Sequence, residues 1–285
     1  MTSAAPMQEN YRHCESLVRE QDRDRYIATL FAPAEHRAAL FALYAFGAEI
    51  ARIRDAVREA LPGEIRLQWW REALQGLRDG EAAAHPVAAA LRETLGRYGF
   101  VADPLIELIE ARTFDLYDEP MASVAELELY AIRTQSPVFA MACGILGDGA
   151  PPPELSTLDA AIAHAIGAIL SGFGRHAARR QLFVPVEILD RHQAAAAEIY
   201  AGRSSAALLA TLADLRRIAH EHLAAARAKL AAAPARLQPA LLPLALVGPT
   251  LRRMERRGYD PFRFEPIAPW RRQWLIWRAA RRGTF

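Results

Sequence analysis

The sequence is poor in cysteine and has no long apolar run. Its 285 residues include only Cys14 and Cys143, too few for a disulfide framework, which indicates a reducing compartment. The most apolar stretches, residues 161–174 and 239–249, are too short to cross a bilayer, which takes about 20 helical residues. The first ten residues lack a basic region followed by an apolar segment, so no secretory signal is predicted. We therefore expect a cytoplasmic protein.

The chain has little net charge, but that charge is unevenly distributed. Lys and Arg number 35 against 33 Asp and Glu, a formal charge of +2, and this balance argues against nucleic acid as a partner. Residues 252–285, in contrast, contain ten Arg and only three acidic residues. The basic excess is therefore a property of the C-terminal segment.

Strand patterns are also missing, and helical periodicity runs through nearly the whole chain. Apolar residues recur at spacings of three and four among Ala, Leu, Arg and Glu, which all favour helix. The stretch GDGAPPP at 147–153 is the strongest linker candidate, but composition does not change across it. We therefore predict a single all-α domain over residues 20–285, with helices around a common interior. Residues 1–19 are expected to be partly disordered or to form a first helix.

Residues 40–57 are predicted to form one amphipathic helix. Beside its apolar stripe lie Glu49, Arg52 and Asp55, separated by alanines that leave space above the helix. One interpretation is a solvated edge with i,i+3 ion contacts, each contributing a few tenths of a kcal/mol. The other is an altered site that once held a charged group.

Longer stretches around this helix resemble the squalene/phytoene synthase family, over about residues 20–285. The resemblance implies an isoprenoid-synthase-type helical bundle around a deep central pocket. The enzymes of that family join two prenyl diphosphates head to head, with Mg²⁺ held by two aspartate-rich motifs on facing helices. The stretches that carry it are DRYIATLFAPAEHRAALFALYAFGAEIARIRD (24–55), LPGEIRLQWWREAL (61–74), HPVAAAL (85–91), ARTFDLYDEPMASVAELELYAIRT (111–134) and GRHAARRQLFVPVEIL (174–189).

Both metal-binding motifs of the family are altered here. When the chain is aligned on residues 44–46, the first motif becomes Ala51, Arg52 and Asp55, so Asp55 is the only retained motif aspartate. No acidic residue lies between Asp159 and Glu187, where the second motif would fall. That place instead holds Arg175, His176, Arg179 and Arg180. These basic residues either cover a helix end or face an anion.

The altered motifs predict that no cofactor is bound, with Mg²⁺ required only if the chain is an enzyme after all. The pattern resembles the non-catalytic branch of the family that assists assembly of mitochondrial respiratory complex I. This resemblance implies subunits of a respiratory complex as partners. Two alternatives stay open: an active prenyl-diphosphate transferase that uses arginines in place of metal, and a protein that binds a prenyl diphosphate or lipid without chemistry.

The resemblance also indicates which residues line the pocket. Asp115, Tyr130 and Arg133 fall where family members keep similar residues beside the substrate. The full set of predicted pocket or anion-binding residues is Tyr26, Tyr44, Glu49, Arg52, Asp55, Asp115, Tyr130, Arg133, Arg175, His176, Arg179 and Arg180.

A basic helix rich in tryptophan is predicted at about 268–282. Trp270, Trp274 and Trp277 fall on one side of this helix, with Arg271, Arg272, Arg278 and Arg282 around them. Such a composition is typical of a helix at a membrane interface, which would place the protein at the inner face of a membrane. The other interpretation, which we place first, is that the tryptophans dock onto the bundle.

Overall fold

The computed structural model of the protein describes residues 4–149 and 157–285. Every regular element within these ranges is helical and none is a strand, which confirms the predicted all-α class. The first three residues, and residues 150–153 of the predicted linker, lie outside the described ranges. The α-helices of the described ranges are α1 Ala4–Gln21, α2 Arg23–Thr29, α3 Ala34–Arg52, α4 Ala60–Leu74, α5 Asp79–Ala84, α6 Pro86–Tyr98, α7 Asp103–Ala111, α8 Val124–Leu146, α9 Leu158–Ser171, α10 Phe173–Ala178, α11 Val186–His192, α12 Ala196–Tyr200, α13 Ala206–Leu230, α14 Gln238–Leu241, α15 Val247–Met254 and α16 Pro269–Arg282. Short 3₁₀ helices lie at Arg54–Ala56, Arg112–Leu116, Ala235–Leu237, Leu242–Leu246 and Pro261–Arg263.

Side-chain caps and proline set the beginnings of the helices that build the interior. The Ser123 hydroxyl accepts a hydrogen bond from the Glu126 N–H and starts α8. Pro86 opens α6, where the His85 side chain accepts from the Ala88 N–H, and the helix ends at Gly99 with φ +67°. These local signals define where the helices begin and end without any contribution from tertiary contacts.

Helices α3, α8 and α9 form the walls of the interior. Helix α3 packs against α1, α6 and α8, and α9 packs against α8 and α13. Phe46 of α3, Phe139 of α8 and Ile166 of α9 are among the largest fully buried side chains. One continuous cluster of buried apolar residues extends from Cys14 in α1 to Met254 in α15.

The predicted helix over residues 40–57 is wrong at its C-terminal end, because α3 ends at Arg52. The Ile53 N–H bonds to the Ile50 carbonyl at 3.2 Å, and the Ala56 N–H bonds to the Ile53 carbonyl at 3.1 Å. These i→i−3 bonds tighten the chain into a 3₁₀ turn, and Val57 is already extended. Asp55 therefore does not continue the helical stripe that contains Glu49.

Helix α16 docks on the bundle, but not through its tryptophans. Leu275, Ile276 and Ala279 are buried against a small cluster that includes Ala28 of α2 and Leu246. The three tryptophans are exposed to 71%, 46% and 49%, for Trp270, Trp274 and Trp277 respectively. We placed first the interpretation that the tryptophans dock onto the bundle. The helix does dock, but Leu275, Ile276 and Ala279 are its buried side chains, so this interpretation is wrong for the tryptophans. Among the described residues, no helix combines the length and apolar composition that crossing a membrane requires.

Candidate functional site

A cavity of about 230 Å³ lies in the interior, at the positions of both altered motifs. Asp55 reaches it from the turn after α3, and His176 from α10. Tyr130 and Thr134, one helical turn apart on α8, line another side. The charged residues of its lining are Arg54, Asp55, Arg112, Asp115, Arg175 and Arg179. The cavity therefore has four arginines and two aspartates.

Asp115 is buried and its carboxylate is fully engaged. Oδ1 accepts a hydrogen bond from the Tyr130 hydroxyl at 2.6 Å, and Oδ2 accepts from Arg112 Nη1 at 2.9 Å. Arg112 Nη1 also donates to the Tyr130 oxygen at 2.8 Å, and Gln181 donates to the Asp115 backbone carbonyl at 2.7 Å. Burial, followed by the Asp115 charge, raises the pKa of Tyr130 well above its ordinary value. Tyr130 thus stays protonated and keeps its hydrogen bond to the carboxylate.

The other carboxylate of the cavity, on Asp55, forms an ion pair with Arg179. Both side chains are more than one-third exposed, Asp55 at 40% and Arg179 at 36%. Arg175 lines the cavity nearby and forms no ion pair with any described residue. Burial, then the charges of Arg175 and Arg179, lower the pKa of His176 to about 4, so this imidazole is neutral at pH 7.

These residues do not fit the magnesium ions that the family's motifs bind. Mg²⁺ requires oxygen ligands and is held in proteins by free carboxylates. Asp115 is occupied by Arg112 and Tyr130, Asp55 is occupied by Arg179, and the facing motif position is basic. Within the described ranges, no group of three or more His, Cys, Asp or Glu side chains lies close enough to hold a metal. The donor set of the cavity instead suits an anion.

Glu49 and Arg52 line a different pocket, of about 420 Å³, together with Trp69, Trp70 and His85. Burial raises the pKa of Glu49 to about 7. His85 Nδ1 accepts from the Ala88 N–H, so the neutral ring carries its proton on Nε2, which lies 3.8 Å from a Glu49 oxygen. The stripe predicted from the sequence is therefore divided: Asp55 faces the cavity, and Glu49 and Arg52 face this side pocket.

Four of the other predicted pocket residues line neither space. Tyr26 stacks on Phe41 with ring centroids 5.6 Å apart, and Tyr44 is buried beneath the Arg25 guanidinium. Arg133 lies exposed on α8. Arg180 has φ +60°, in the turn that follows α10, and its guanidinium lies over the Tyr200 ring. The structure thus brings Asp55, Asp115, Tyr130, Arg175, His176 and Arg179 together and leaves these four outside.

Sequence reasoning missed five polar residues of the cavity lining: Arg54, Arg112, Thr134, Gln135 and Gln181. Arg112 had a usable signal, because it precedes Asp115 by three residues and forms an i,i+3 ion pair with it. Gln181 bonds to the backbone of a residue 66 positions away. Such a contact has no local signal in the sequence.

Comparison with known proteins agrees with this architecture. The family model described as squalene/phytoene synthase matches residues 18–278. The complex I assembly factor 6 of NADH dehydrogenase (ubiquinone) from Rattus norvegicus is 28% identical over 254 residues, which cover 89% of this chain and 76% of that protein. The 15-cis-phytoene synthase of Synechocystis sp. is 25% identical over 199 residues, covering 66% and 59% respectively.

A solved structure supports the same assignment of fold. The crystal structure of a dehydrosqualene synthase in complex with ligand superimposes with a TM-score of 0.82 at 17% identity, over 97% of each chain. This likeness confirms the predicted isoprenoid-synthase-type bundle. Because the family model covers most of the sequence, the chain belongs to the squalene/phytoene synthase family.

Proposed function

We propose that this protein assists the assembly of respiratory complex I and does not catalyse prenyl transfer. The observation that carries the non-catalytic part of the proposal is the ion pair between Asp55 and Arg179. It joins the one retained motif aspartate to an arginine at the place of the second motif. An arginine of the protein thus pairs with the carboxylate that a metal would need.

The chemistry of prenyl transfer explains why this pair matters. Ionisation of a prenyl diphosphate produces a polyanionic leaving group, which Mg²⁺ neutralises when carboxylates hold the ion. Arginines can bind a diphosphate, but a site that relies on them lacks the ion that normally activates departure of the leaving group. We therefore propose that the cavity binds no Mg²⁺.

Similarity to proteins of known role supports the assembly part of the proposal. The rat relative named as a complex I assembly factor is matched over 89% of this chain, and the cyanobacterial phytoene synthase over 66%. We propose subunits of a respiratory complex as the partners of this chain.

Two measurements test the proposal together. Deletion of the gene in the organism that encodes it should lower the amount of assembled complex I on native gels, and the wild-type gene should restore it. The purified protein, incubated with Mg²⁺, NADPH and farnesyl or geranylgeranyl diphosphate, should form no squalene or phytoene. Turnover at ordinary enzyme rates would overturn the non-catalytic assignment, and unchanged complex I would overturn the assembly role.

A second candidate function is metal-independent binding of a phosphorylated isoprenoid. It is favoured by Arg175, which lines the cavity without an ion pair to a described residue, and by the excess of arginines over aspartates there. With EDTA present, farnesyl diphosphate should raise the melting temperature of the wild-type protein. Arg175→Gln should reduce this shift, whereas Arg133→Gln, on the exposed side of α8, should not. A shift that appears only with Mg²⁺ would favour the enzyme instead.

A further inference from the structure

The outer face of α16 carries three large apolar side chains that the described part of the bundle covers only in part. Trp270 is 71% exposed, and Trp274 and Trp277 are each close to half exposed. Monomeric proteins rarely leave a row of tryptophans in water without a binding role. Each indole also has a polar N–H edge, so these rings suit a boundary between water and an apolar phase.

The helix is fixed in place, so this exposure is not a consequence of loose packing. Its opposite face is buried through Leu275, Ile276 and Ala279. Arg272 forms a bidentate ion pair with Asp24 of α2, and Gln238 donates to the Ala279 carbonyl at 3.0 Å. Helix α16 therefore presents its tryptophans outward from a rigid support.

The charged side chains of the segment that carries the tryptophans are all positive. Residues 266–285 contain five arginines and no acidic residue, and of these arginines Arg272 is paired with Asp24. The Arg278 guanidinium lies 4.8 Å from the Trp274 ring centroid, and that of Arg281 lies 5.8 Å from the Trp277 ring centroid. Cationic groups thus lie next to the aromatic rings. This arrangement suits a lipid surface, where the phosphates lie beside the boundary of the acyl chains.

We propose that this face of α16 binds the surface of membranes that contain anionic phospholipids. The tryptophans lie at the depth of the headgroups, and Arg271, Arg278, Arg281 and Arg282 bind lipid phosphates. Each basic residue near such a surface contributes about 1 kcal/mol, which salt weakens. Membrane binding goes beyond complex I assembly and does not depend on it, because these residues lie outside both pockets described above.

Flotation of the full-length protein with vesicles tests the proposal. Wild type should float with vesicles of phosphatidylcholine and phosphatidylglycerol in equal parts, and it should remain unbound with phosphatidylcholine alone. Fluorescence of the exposed tryptophans should shift to shorter wavelength on binding. The triple variant W270A/W274A/W277A should bind about tenfold more weakly or worse. Absence of flotation by the wild-type protein would overturn the proposal and would direct attention to an acidic protein partner.

A matched control removes exposed apolar side chains elsewhere. Leu61, Ile65 and Leu77 are 63%, 62% and 71% exposed, and the variant L61A/I65A/L77A should float like wild type. Equal loss in both triple variants would contradict a specific site on α16. The variant R271Q/R278Q/R281Q should bind these vesicles more weakly than wild type, and its binding should depend less on salt concentration. If the tryptophan triple variant does not fold, Trp270→Ala alone carries the same test, because this side chain is the most exposed of the three.

Discussion

Asp55 and Arg179 form an ion pair across the central cavity, although their positions in the sequence differ by 124. The pair joins the turn after α3 to the end of α10. With this contact and the Arg112–Asp115–Tyr130 network, both carboxylates that line the cavity have protein partners. Both carboxylates are thus engaged by arginines and are not open ligands for a metal, while arginines still outnumber aspartates in the lining.

Because both of its side chains are more than one-third exposed, the Asp55–Arg179 pair is expected to stabilise the protein only slightly. A double-mutant cycle with Asp55→Asn and Arg179→Gln should give a coupling of about 0.2–1 kcal/mol in the free energy of unfolding. Millimolar Mg²⁺ should leave the melting temperature of the wild-type protein and of Asp55→Asn unchanged. A magnesium-dependent rise in the wild-type protein that is lost in Asp55→Asn would contradict the charge assignment.

The buried network around Asp115 should respond far more strongly. Arg112→Met leaves a buried carboxylate without its cation and should lower the free energy of unfolding by about 3–5 kcal/mol. Tyr130→Phe removes one hydrogen bond to that carboxylate and should cost about 1–3 kcal/mol. Urea unfolding measures both. Arg133→Met, on the exposed surface of the helix that carries Tyr130, is the control and should change stability by less than about 0.5 kcal/mol. A loss of stability in Arg133→Met as large as in Arg112→Met would argue against the network.

Helical periodicity predicts the fold class of this protein because its helices bury one face each. The end of α3 is harder to predict, since the apolar pattern continues through Ile53 and Val57 while the backbone changes to a 3₁₀ turn. That one change sends Asp55 into the cavity and leaves Glu49 in the side pocket. The site could therefore be located from the altered motifs, but not its division into two spaces.

The C-terminal helix shows a second limit of sequence patterns. Leu275 and Ile276 lie between Trp274 and Trp277, so the helix has apolar residues on two sides. Composition cannot decide which side packs on the bundle, because both are apolar. The packing partner decides which side is buried: Leu275 and Ile276 belong to the same apolar cluster as Ala28 and Leu246.

Gly174, in α10, is required by its close approach to another segment. A Cβ at this position would lie 2.8 Å from the Phe262 carbonyl oxygen and 3.0 Å from its Cα. Because the obstacle is backbone, Gly174→Ala must displace α10 or the turn at Pro261–Arg263, and we expect a loss of about 1–3 kcal/mol. Gly96→Ala is the control, since beyond its neighbours and the backbone of α6 no atom of the described residues lies within 4 Å of the added Cβ. This substitution should stabilise the protein by about 0.5–1 kcal/mol. Thermal unfolding compares the stability of the two variants. If Gly174→Ala were as stable as wild type, this would show that α10 can move away from the facing backbone.

Glu49 should make the stability of the protein depend on pH. Burial raises its pKa from 4.5 to about 7 in the folded state. Between these values the unfolded chain has released the proton while the folded chain keeps it. The free energy of unfolding therefore falls as pH rises from about 4.5 to 7, and it stays lower above that window.

Replacement of this carboxyl by an amide removes the effect. Glu49→Gln should match wild type near pH 4.5 and be more stable at pH 8, on the order of 2 kcal/mol. Burial lowers the pKa of His85, so the stability that depends on its neutral ring is lost as the pH falls. Both proteins contain His85, so this contribution does not affect the comparison. Urea unfolding at pH 5 and pH 8 measures the difference, with exposed Glu93→Gln as a control that should not change it. Parallel pH profiles for wild type and Glu49→Gln would show that Glu49 is already ionised near pH 5 in the folded protein.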